Sequence, residues 1–222
     1  MEFRAAETLI LNNEEFILLL SAAGISGWYG IELSGDTGFA NDDIRLNGCI
    51  AGLYRKGLIE WGESKARVSD NVRPVFDVLR SAPVCITSTN LREQNSDIGS
   101  YCSDGRVVIS ERSLLGTDEI KLTLMSADEW ISMFEKGGYL PKVMEAPPDM
   151  DAEHMFPENG DLISEFAVRS IPDGKLLEKL MLFDCGTYGM IIQNSRTFSM
   201  REMFTMESIK EIMRSWAGGK SQ

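Results

Sequence analysis

Histidine is nearly absent from this sequence of 222 residues, and its few cysteines are scattered. His154 stands alone, which excludes the histidine-based triads of many hydrolases and most zinc sites. The cysteines show no Cys-x-x-Cys spacing, so we expect free, reduced thiols. They are Cys49, Cys85, Cys102 and Cys185. The sequence therefore predicts a protein that is not an enzyme and that binds no metal and no cofactor.

Long apolar runs and a basic leader segment are also missing. No run approaches the roughly 18 apolar residues that a membrane-spanning helix needs. The first residues, Met1 to Glu7, lack the basic stretch and following apolar stretch of a secretory signal. The 43% hydrophobic and 25% charged residues are ordinary for a globular fold. We expect a cytoplasmic protein with no membrane association.

Positive charge is scarce and scattered. The net charge is −12, the sequence pI is near 4.6, and no lysine or arginine occurs from Val143 to Val168. Phosphate backbones repel a protein this acidic unless it carries a basic patch, so we expect no nucleic-acid partner. Residues 141–160 are rich in proline and acidic side chains. This predicts an exposed connector between two halves of a single domain, 1–140 and 161–222.

The sequence does contain one pattern that occurs twice, once in the middle and once towards the end. Each copy reads as strand, tight turn, strand, loop, strand and capped helix, beginning at Tyr101 and at Met181. The turns are Asp104-Gly105 and Cys185-Gly186, where glycine tolerates the positive φ of a hairpin. This duplication predicts an α+β fold with two pseudo-symmetric halves that share an antiparallel sheet with flanking helices.

Capping side chains mark the predicted helix starts. Ser126 has Glu129 three residues later, the spacing of a capping box. Asn12 has Glu15 at the same spacing and should begin the first helix. Thr205 is the predicted N-cap of the last helix, without an acidic partner.

Six of the twelve methionines lie between Met181 and Met213. Flexible thioethers suit surfaces that accept several partners, and they also fill cores. Met200, Met203 and Met206 cannot all point inward from a strand end and a helix start, so we predict them as partner-binding residues. We expect Met203→Asp to abolish co-purification with a helical secreted protein and to leave the melting temperature nearly unchanged.

Alternation along residues 188–193 assigns side chains to the two faces of a strand. One face carries Tyr188, Met190 and Ile192, and the other carries Gly189, Ile191 and Gln193. Because the second face is less apolar, we predict that Tyr188 and Met190 belong to the core.

The segment 41–80 resembles a winged helix, with a helix, a two-stranded wing around Gly62-Glu63, and a helix over 70–80 capped by Ser69. This leaves a DNA-binding transcriptional regulator as the alternative function. Electrostatics disfavour that alternative, since seven basic and six acidic residues leave a local net charge of only +1. The first of these helices opens with Asp42 and Asp43. Its predicted inward residues are Ile44, Cys49, Ile50, Leu53 and Tyr54.

Four loose patterns are spread over most of the chain. Leu9–Ile25 is an opening helix that ends in glycine, and Val68–Val84 joins a strand, a helix, a proline and a strand. Phe183–Tyr188 reads Phe-Asp-Cys-Gly-Thr-Tyr, which is similar to an Asp-x-x-Gly-Arg-Tyr turn, and a helix follows Thr205. In these patterns the chain resembles the EspG family, the cytosolic chaperones of mycobacterial type VII secretion, with Thr187 where the family has arginine.

The resemblance implies a non-enzymatic cytosolic chaperone or targeting factor for a type VII, ESX-like secretion system. The family's quasi-two-fold fold agrees with the duplication. The chain is shorter than typical members, and its composition suggests a relative from Firmicutes. The implied partner is a helical-hairpin secreted protein of the WXG-like, LXG or PE–PPE type, held against the sheet.

Overall fold

The computed structural model describes residues 8–25, 43–62, 65–92, 98–112, 119–140, 160–171, 173–186 and 188–218. Helices and strands within these ranges are numbered in chain order. They are β1 Thr8–Asn12, α1 Asn13–Ala22, α2 Asp43–Arg55, β2 Ile59–Trp61, β3 Ala66–Val68, α3 Arg73–Ser81, β4 Val84–Asn90, β5 Ile98–Ser103, β6 Arg106–Arg112, β7 Glu119–Ser126, α4 Ala127–Lys136, β8 Asp161–Ser170, β9 Leu176–Asp184, β10 Gly189–Ser195, β11 Ser199–Met203 and α5 Met206–Ala217.

Nine strands form one sheet in the order β1-β7-β6-β5-β4-β8-β9-β10-β11. Every neighbouring pair is antiparallel. β2 and β3 pair separately as a small hairpin. The fold is therefore α+β with a large antiparallel sheet flanked by helices, and this prediction is confirmed.

Two similar units make up most of the sheet. β4 to β7 form a four-stranded meander followed by α4, and β8 to β11 form a second meander followed by α5. The units join through β4 and β8, where Thr87 lies opposite Ala167, 80 residues further along the chain. The repeated sequence pattern corresponds to β5–β7 with α4 and to β9–β11 with α5. Residues 141–159 of the predicted connector lie outside the described residues, so its exposure and the two-half boundaries stay predictions.

Both predicted hairpin turns have the expected backbone. Asp104 and Gly105 have φ values of +51° and +75°, and Gly186 has +83°. The first turn also contacts both helices of the pair α4 and α5. The N–H of Gly105 donates to the carbonyl of Ala217 at 3.0 Å, and its carbonyl accepts from the N–H of Ala127 at 3.1 Å. A tight turn of one half is thus bonded to the helix of the other.

The helix caps follow local sequence closely. The N–H of Ser126 donates to Oε2 of Glu129 at 2.8 Å, and the N–H of Glu129 donates to Oγ of Ser126 at 3.3 Å. At Thr205 the hydroxyl of Ser208 takes the place of the missing carboxylate, because it accepts from the N–H of Thr205 at 3.1 Å. Asn12 and Glu15 form the capping box predicted for α1.

One face of the sheet carries α4 and α5 side by side. Trp130 is fully buried, and its Nε1–H donates to Oγ of Ser100 on β5 at 3.0 Å. Phe166 of β8 lies 5.4 Å from the ring of Phe134 on α4 and 6.1 Å from that of Trp216 on α5. These edge-on and tilted contacts are favourable arrangements for buried rings. Aromatic side chains therefore link both halves across the centre of this core.

α1 and α3 cover the opposite face of the first half, where Phe16 and Phe76 are buried. α2 packs on α1 and buries only Leu53. The predicted inward face of α2 is wrong in two places, since Ile44 is 88% exposed and Tyr54 is 54% exposed. Helical spacing identifies a stripe of apolar residues, but the stripe is buried only where another element covers it.

α3 begins three residues later than predicted. Its N-cap is Val72, which makes no side-chain capping bond. The hydroxyl of Ser69 instead donates to the carbonyl of Gly57 at 2.7 Å and joins the start of α3 to the end of α2. Pro74 lies in the first helical turn, where its missing N–H costs nothing, and this fixes the start of the helix.

Candidate partner-binding surface

β11 forms one edge of the sheet and carries two of the three predicted binding methionines. Met200 lies opposite Gln193 and Met203 lies opposite Met190 on β10. Since side chains alternate along a strand, Met200 and Met203 point to opposite faces. Met200 is 36% exposed on the face that α5 covers, while Met203 is partly buried on the other face.

Met206 begins α5 and packs partly buried against the core of α4 and α5. The structure therefore separates the three methionines. Of these three, only Met200 is an exposed large apolar side chain. Their role in partner binding stays a prediction. Phe198, just before β11, is 40% exposed and extends the apolar surface along this edge.

β10 is buried on both faces, so the prediction of a core position is confirmed for Met190, and the face predicted to be less apolar is buried as well. Ile191 belongs to the core under α4 and α5, and Gln193 shares its face and is also buried. Met190 is buried as predicted, but it lies on the other face, and Tyr188 precedes the strand and is partly buried. The apolar content of the strand did not reveal that the Gln193 face is buried, because a buried amide is tolerated when it is hydrogen-bonded.

Gly189 explains how α5 and its preceding residue approach this face. A Cβ added at Gly189 would lie 2.5 Å from Cζ of Phe204, a buried residue between β11 and α5. The N–H of Phe204 donates to the carbonyl of Gly189 at 3.2 Å. The absent side chain thus admits the Phe204 ring, which positions the start of α5 over the sheet.

A groove of about 260 Å³ lies between β9, β10, β11 and α5. Its lining combines three carboxylates, three apolar side chains and three neutral polar side chains. They are Glu178, Glu202 and Glu211; Met200, Ile212 and Trp216; and Gln193, Ser208 and Ser215. We call this the α5 groove. Met200 is the predicted binding residue that the structure places in it.

The α5 groove is acidic and has no basic side chain in its lining. Glu178 is only 6% exposed, and its Oε1 accepts from Nε2 of Gln193 at 2.7 Å. None of the ion pairs in the described ranges includes a groove carboxylate, although Lys210 of the same helix pairs with Glu135 at 3.0 Å. Strand alternation could have identified Glu178, since it shares a face with Leu180 and Leu182. Glu202 and Glu211 carry no such signal.

The four cysteines are unpaired, as predicted. Desolvation by burial raises the pKa of Cys85 to about 12 and that of Cys49 to about 11. Burial also raises the pKa of the Cys102 and Cys185 thiols. A thiol must ionise to act as a nucleophile, and raised pKa values favour the protonated form of these thiols at neutral pH.

The helix–hairpin–helix order of the winged-helix resemblance is present as α2, β2, β3 and α3. Two of the three basic residues of α2 and its end pair with carboxylates of α1. Lys56 Nζ lies 2.6 Å from Oε1 of Glu15, and Arg45 pairs with Glu14. α3 buries Val75, Phe76, Val78 and Leu79 against the sheet. Two of the cations that could meet a phosphate backbone are thus already neutralised.

Two other predictions concern residues that carry no structural description. His154 lies outside the described residues, as does Asp42 at the start of the winged-helix-like segment. Within the described ranges, no three histidine, cysteine, aspartate or glutamate side chains converge so as to hold a metal ion. No helix there is long and apolar enough to cross a membrane.

Comparison with known proteins adds information at the level of the fold. No protein-family model matches the chain, and no curated protein matches its sequence. Among solved structures, the chain is similar to the Mycobacterium tuberculosis type VII secretion system chaperone EspG5, solved in complex with a PE25–PPE41 dimer. The TM-score is 0.51 at 12% identity, and the match covers 94% of this chain and 95% of that chain. The chain therefore has the fold of this chaperone over nearly its whole length, as the sequence resemblance predicted.

Proposed function

We propose that this chain is a non-enzymatic cytosolic chaperone or targeting factor that binds helical substrates of a type VII, ESX-like secretion system. The observation that carries the proposal is the fold shared with EspG5 over 94% of the chain. The single histidine and the protonated thiols support a binding role rather than catalysis.

The β11 edge and the α5 groove form the docking surface in this proposal. Phe198 and Met200 expose apolar area at the edge, and the partly buried Ile212 lies beside the buried Trp216 in the groove lining. Exposed apolar area of this kind, rimmed by polar side chains, is typical of protein-interaction sites. An amphipathic helix could place its apolar face against this surface.

The proposed partner is a helical-hairpin secreted protein of the WXG-like, LXG or PE/PPE type. EspG5 was solved in complex with a PE25–PPE41 dimer, which supports a partner of this general class. A relative from Firmicutes would use WXG-like or LXG proteins in its place.

Co-expression with one such protein tests the proposal. The substrate is chosen as a helical-hairpin protein encoded beside a secretion ATPase, and the affinity tag is on the substrate. We expect the chain to co-purify and Met200→Asp to reduce its recovery about tenfold, because a carboxylate then faces the apolar side of the partner.

Ile10→Asp is the matched control, since Ile10 is 55% exposed on β1 at the opposite edge of the same sheet. Its recovery should equal that of the unmodified chain. Equal losses from both variants would refute the proposed surface. No recovery of the unmodified chain would refute the proposed function.

The observed order α2-β2-β3-α3 keeps a DNA-binding regulator as the second candidate. The net charge of −12 and the ion pairs of Arg45 and Lys56 argue against it. We expect no shift of random duplex DNA at physiological salt. A specific shift of the promoter fragment of its own gene at nanomolar protein would place the regulator first.

A further inference from the structure

Two buried donor groups near the end of β6 have no hydrogen-bond partner within the described part of the chain. Ser110 is fully buried and its Oγ is unpaired, and Nη2 of Arg112 is buried and likewise unpaired. None of the ion pairs between described residues includes Arg112. A guanidinium group stays charged at ordinary pH, and burying one of its nitrogens without an acceptor is costly. An acceptor is therefore missing at this end of the sheet.

The two groups lie side by side against an apolar wall. Ser110 and Arg112 are two positions apart on one strand, so they share a face of the sheet. On β7, Leu122 lies opposite Ser110 and Ile120 lies opposite Arg112, and both of these apolar side chains are buried. Residues directly opposite each other on antiparallel strands have neighbouring side chains. The face thus combines one cation, one hydroxyl and two aliphatic side chains.

We propose that Ser110 and Arg112 bind the carboxylate of a small organic acid. The guanidinium N–H and the serine O–H can each donate to one carboxylate oxygen, and the bond from arginine is charge-assisted. A single cation matches a singly charged group, whereas a phosphate dianion would bury a charge with no partner. Ile120 and Leu122 favour an aliphatic chain beside the carboxylate. Arg112 as a whole is only partly buried at the end of β6, which gives a small ligand a route to the enclosed atoms.

The third unpaired buried atom shows why the cation matters. Oγ of Ser88 on β4 is also buried without a partner in the described ranges. It lies on the opposite face of the sheet, with Ile98 opposite it on β5 and Phe166 opposite it on β8. Because no cation accompanies this hydroxyl on either neighbouring strand, Ser88 provides a matched control for Ser110.

The test uses the full chain with ¹⁵N-labelled arginine and sodium butyrate as the probe, exchanged against chloride at constant ionic strength. We expect a saturable shift of the Arg112 side-chain N–H signal and none at Arg106, which begins the same strand. Formate should bind about tenfold more weakly than butyrate, because it lacks the aliphatic chain. Inorganic phosphate should also bind about tenfold more weakly, because its second charge has no partner.

Variants locate the site. Ser110→Ala should weaken butyrate binding about tenfold, and Ser88→Ala should leave the affinity unchanged. Without butyrate, Ser110→Ala should melt no lower than the unmodified chain, since the hydroxyl it removes has no partner. The rise in melting temperature with butyrate, measured against chloride, should be lost in Arg112→Met and kept in Arg106→Met.

The inference is refuted if the Arg112 signal shows no saturable shift, which is the result expected when only water occupies this place. It is also refuted if phosphate binds as tightly as butyrate, if Ser88→Ala weakens binding as much as Ser110→Ala, or if Arg106→Met loses the response as well. Co-purification with a helical substrate is a separate measurement, so neither result decides the proposed function.

Discussion

Gly189→Ala should destabilise the protein through a single steric contact. The added Cβ would lie 2.5 Å, 2.8 Å and 3.0 Å from three ring carbons of Phe204. Ordinary carbon contacts are near 3.5–4.0 Å, so the ring must move by roughly 1 Å. Phe204 is 3% exposed and its N–H bonds the carbonyl of Gly189, so neither ring nor backbone moves freely. Gly189 does not have a positive φ, so the steric overlap with the Phe204 ring is the expected cause of the destabilisation.

The expected loss is about 1–3 kcal/mol in the free energy of unfolding, the usual cost of overpacking a core. For a chain of this length, this corresponds to a fall of several degrees in melting temperature. Urea unfolding followed by circular dichroism measures the loss. Gly48→Ala is the matched control, because an added Cβ there meets nothing within 4 Å on α2. It should stabilise slightly, by about 0.5–1 kcal/mol, since alanine favours helix.

A double-mutant cycle isolates the contact. Phe204→Ala alone should cost about 3–5 kcal/mol because it opens a cavity. With the ring removed, the further change Gly189→Ala should cost nearly nothing, so that the coupling energy recovers the single-mutant loss. Additive losses, or a Gly189→Ala protein as stable as the original, would show that the ring does not fill the space over Gly189.

Two other predictions concern a cap and a methionine. Ser126→Ala should cost about 1 kcal/mol of unfolding free energy, since it removes the N-cap of α4; urea unfolding checks this, and a cost equal to that of Ser132→Ala would refute the cap. Hydrogen bonds from the backbone and hydroxyl of Ser126 lower the pKa of Glu129 from 4.5, so this contribution is present above pH 4.5 and is lost as the pH falls through the lowered value. Met203→Asp should lower the melting temperature by several degrees, because Met203 is partly buried opposite the fully buried Met190. This reverses the expectation from sequence, and a melting temperature equal to that of Met200→Asp would contradict it.

Local patterns predicted the parts of the fold that local interactions decide. Asp104-Gly105 forms the predicted tight turn because the preference for a positive φ depends on these two residue types and not on distant contacts. Ser126 with Glu129 caps α4 because both partners lie within one helical turn. The duplication was visible because each half repeats such local signals in the same order.

The surface could not be predicted because it depends on contacts between distant parts of the chain. Ile44 has the spacing of an inward residue, yet no described element covers it. Gln193 is polar, yet it is buried because Glu178, 15 residues earlier, satisfies its amide. Met200 and Met203 are three positions apart on the strand, so the sequence predicts that they lie on opposite faces of the sheet. The sequence does not predict which of these faces α5 covers.

The pairing of β4 with β8 has a consequence for how such a sheet could arise. Thr87 and Ala167 lie opposite each other near the middle of this pair, and they occupy matching places in the two halves. A chain with only one half would expose the edge of β4, and an exposed edge strand can pair antiparallel with its own copy. Two copies joined this way about a two-fold axis would have the strand order of the present β4–β11 sheet. The covalent link between halves thus gives each one freedom to diverge. The lining of the α5 groove has no basic side chain, whereas the concave surface on α4 includes Lys136.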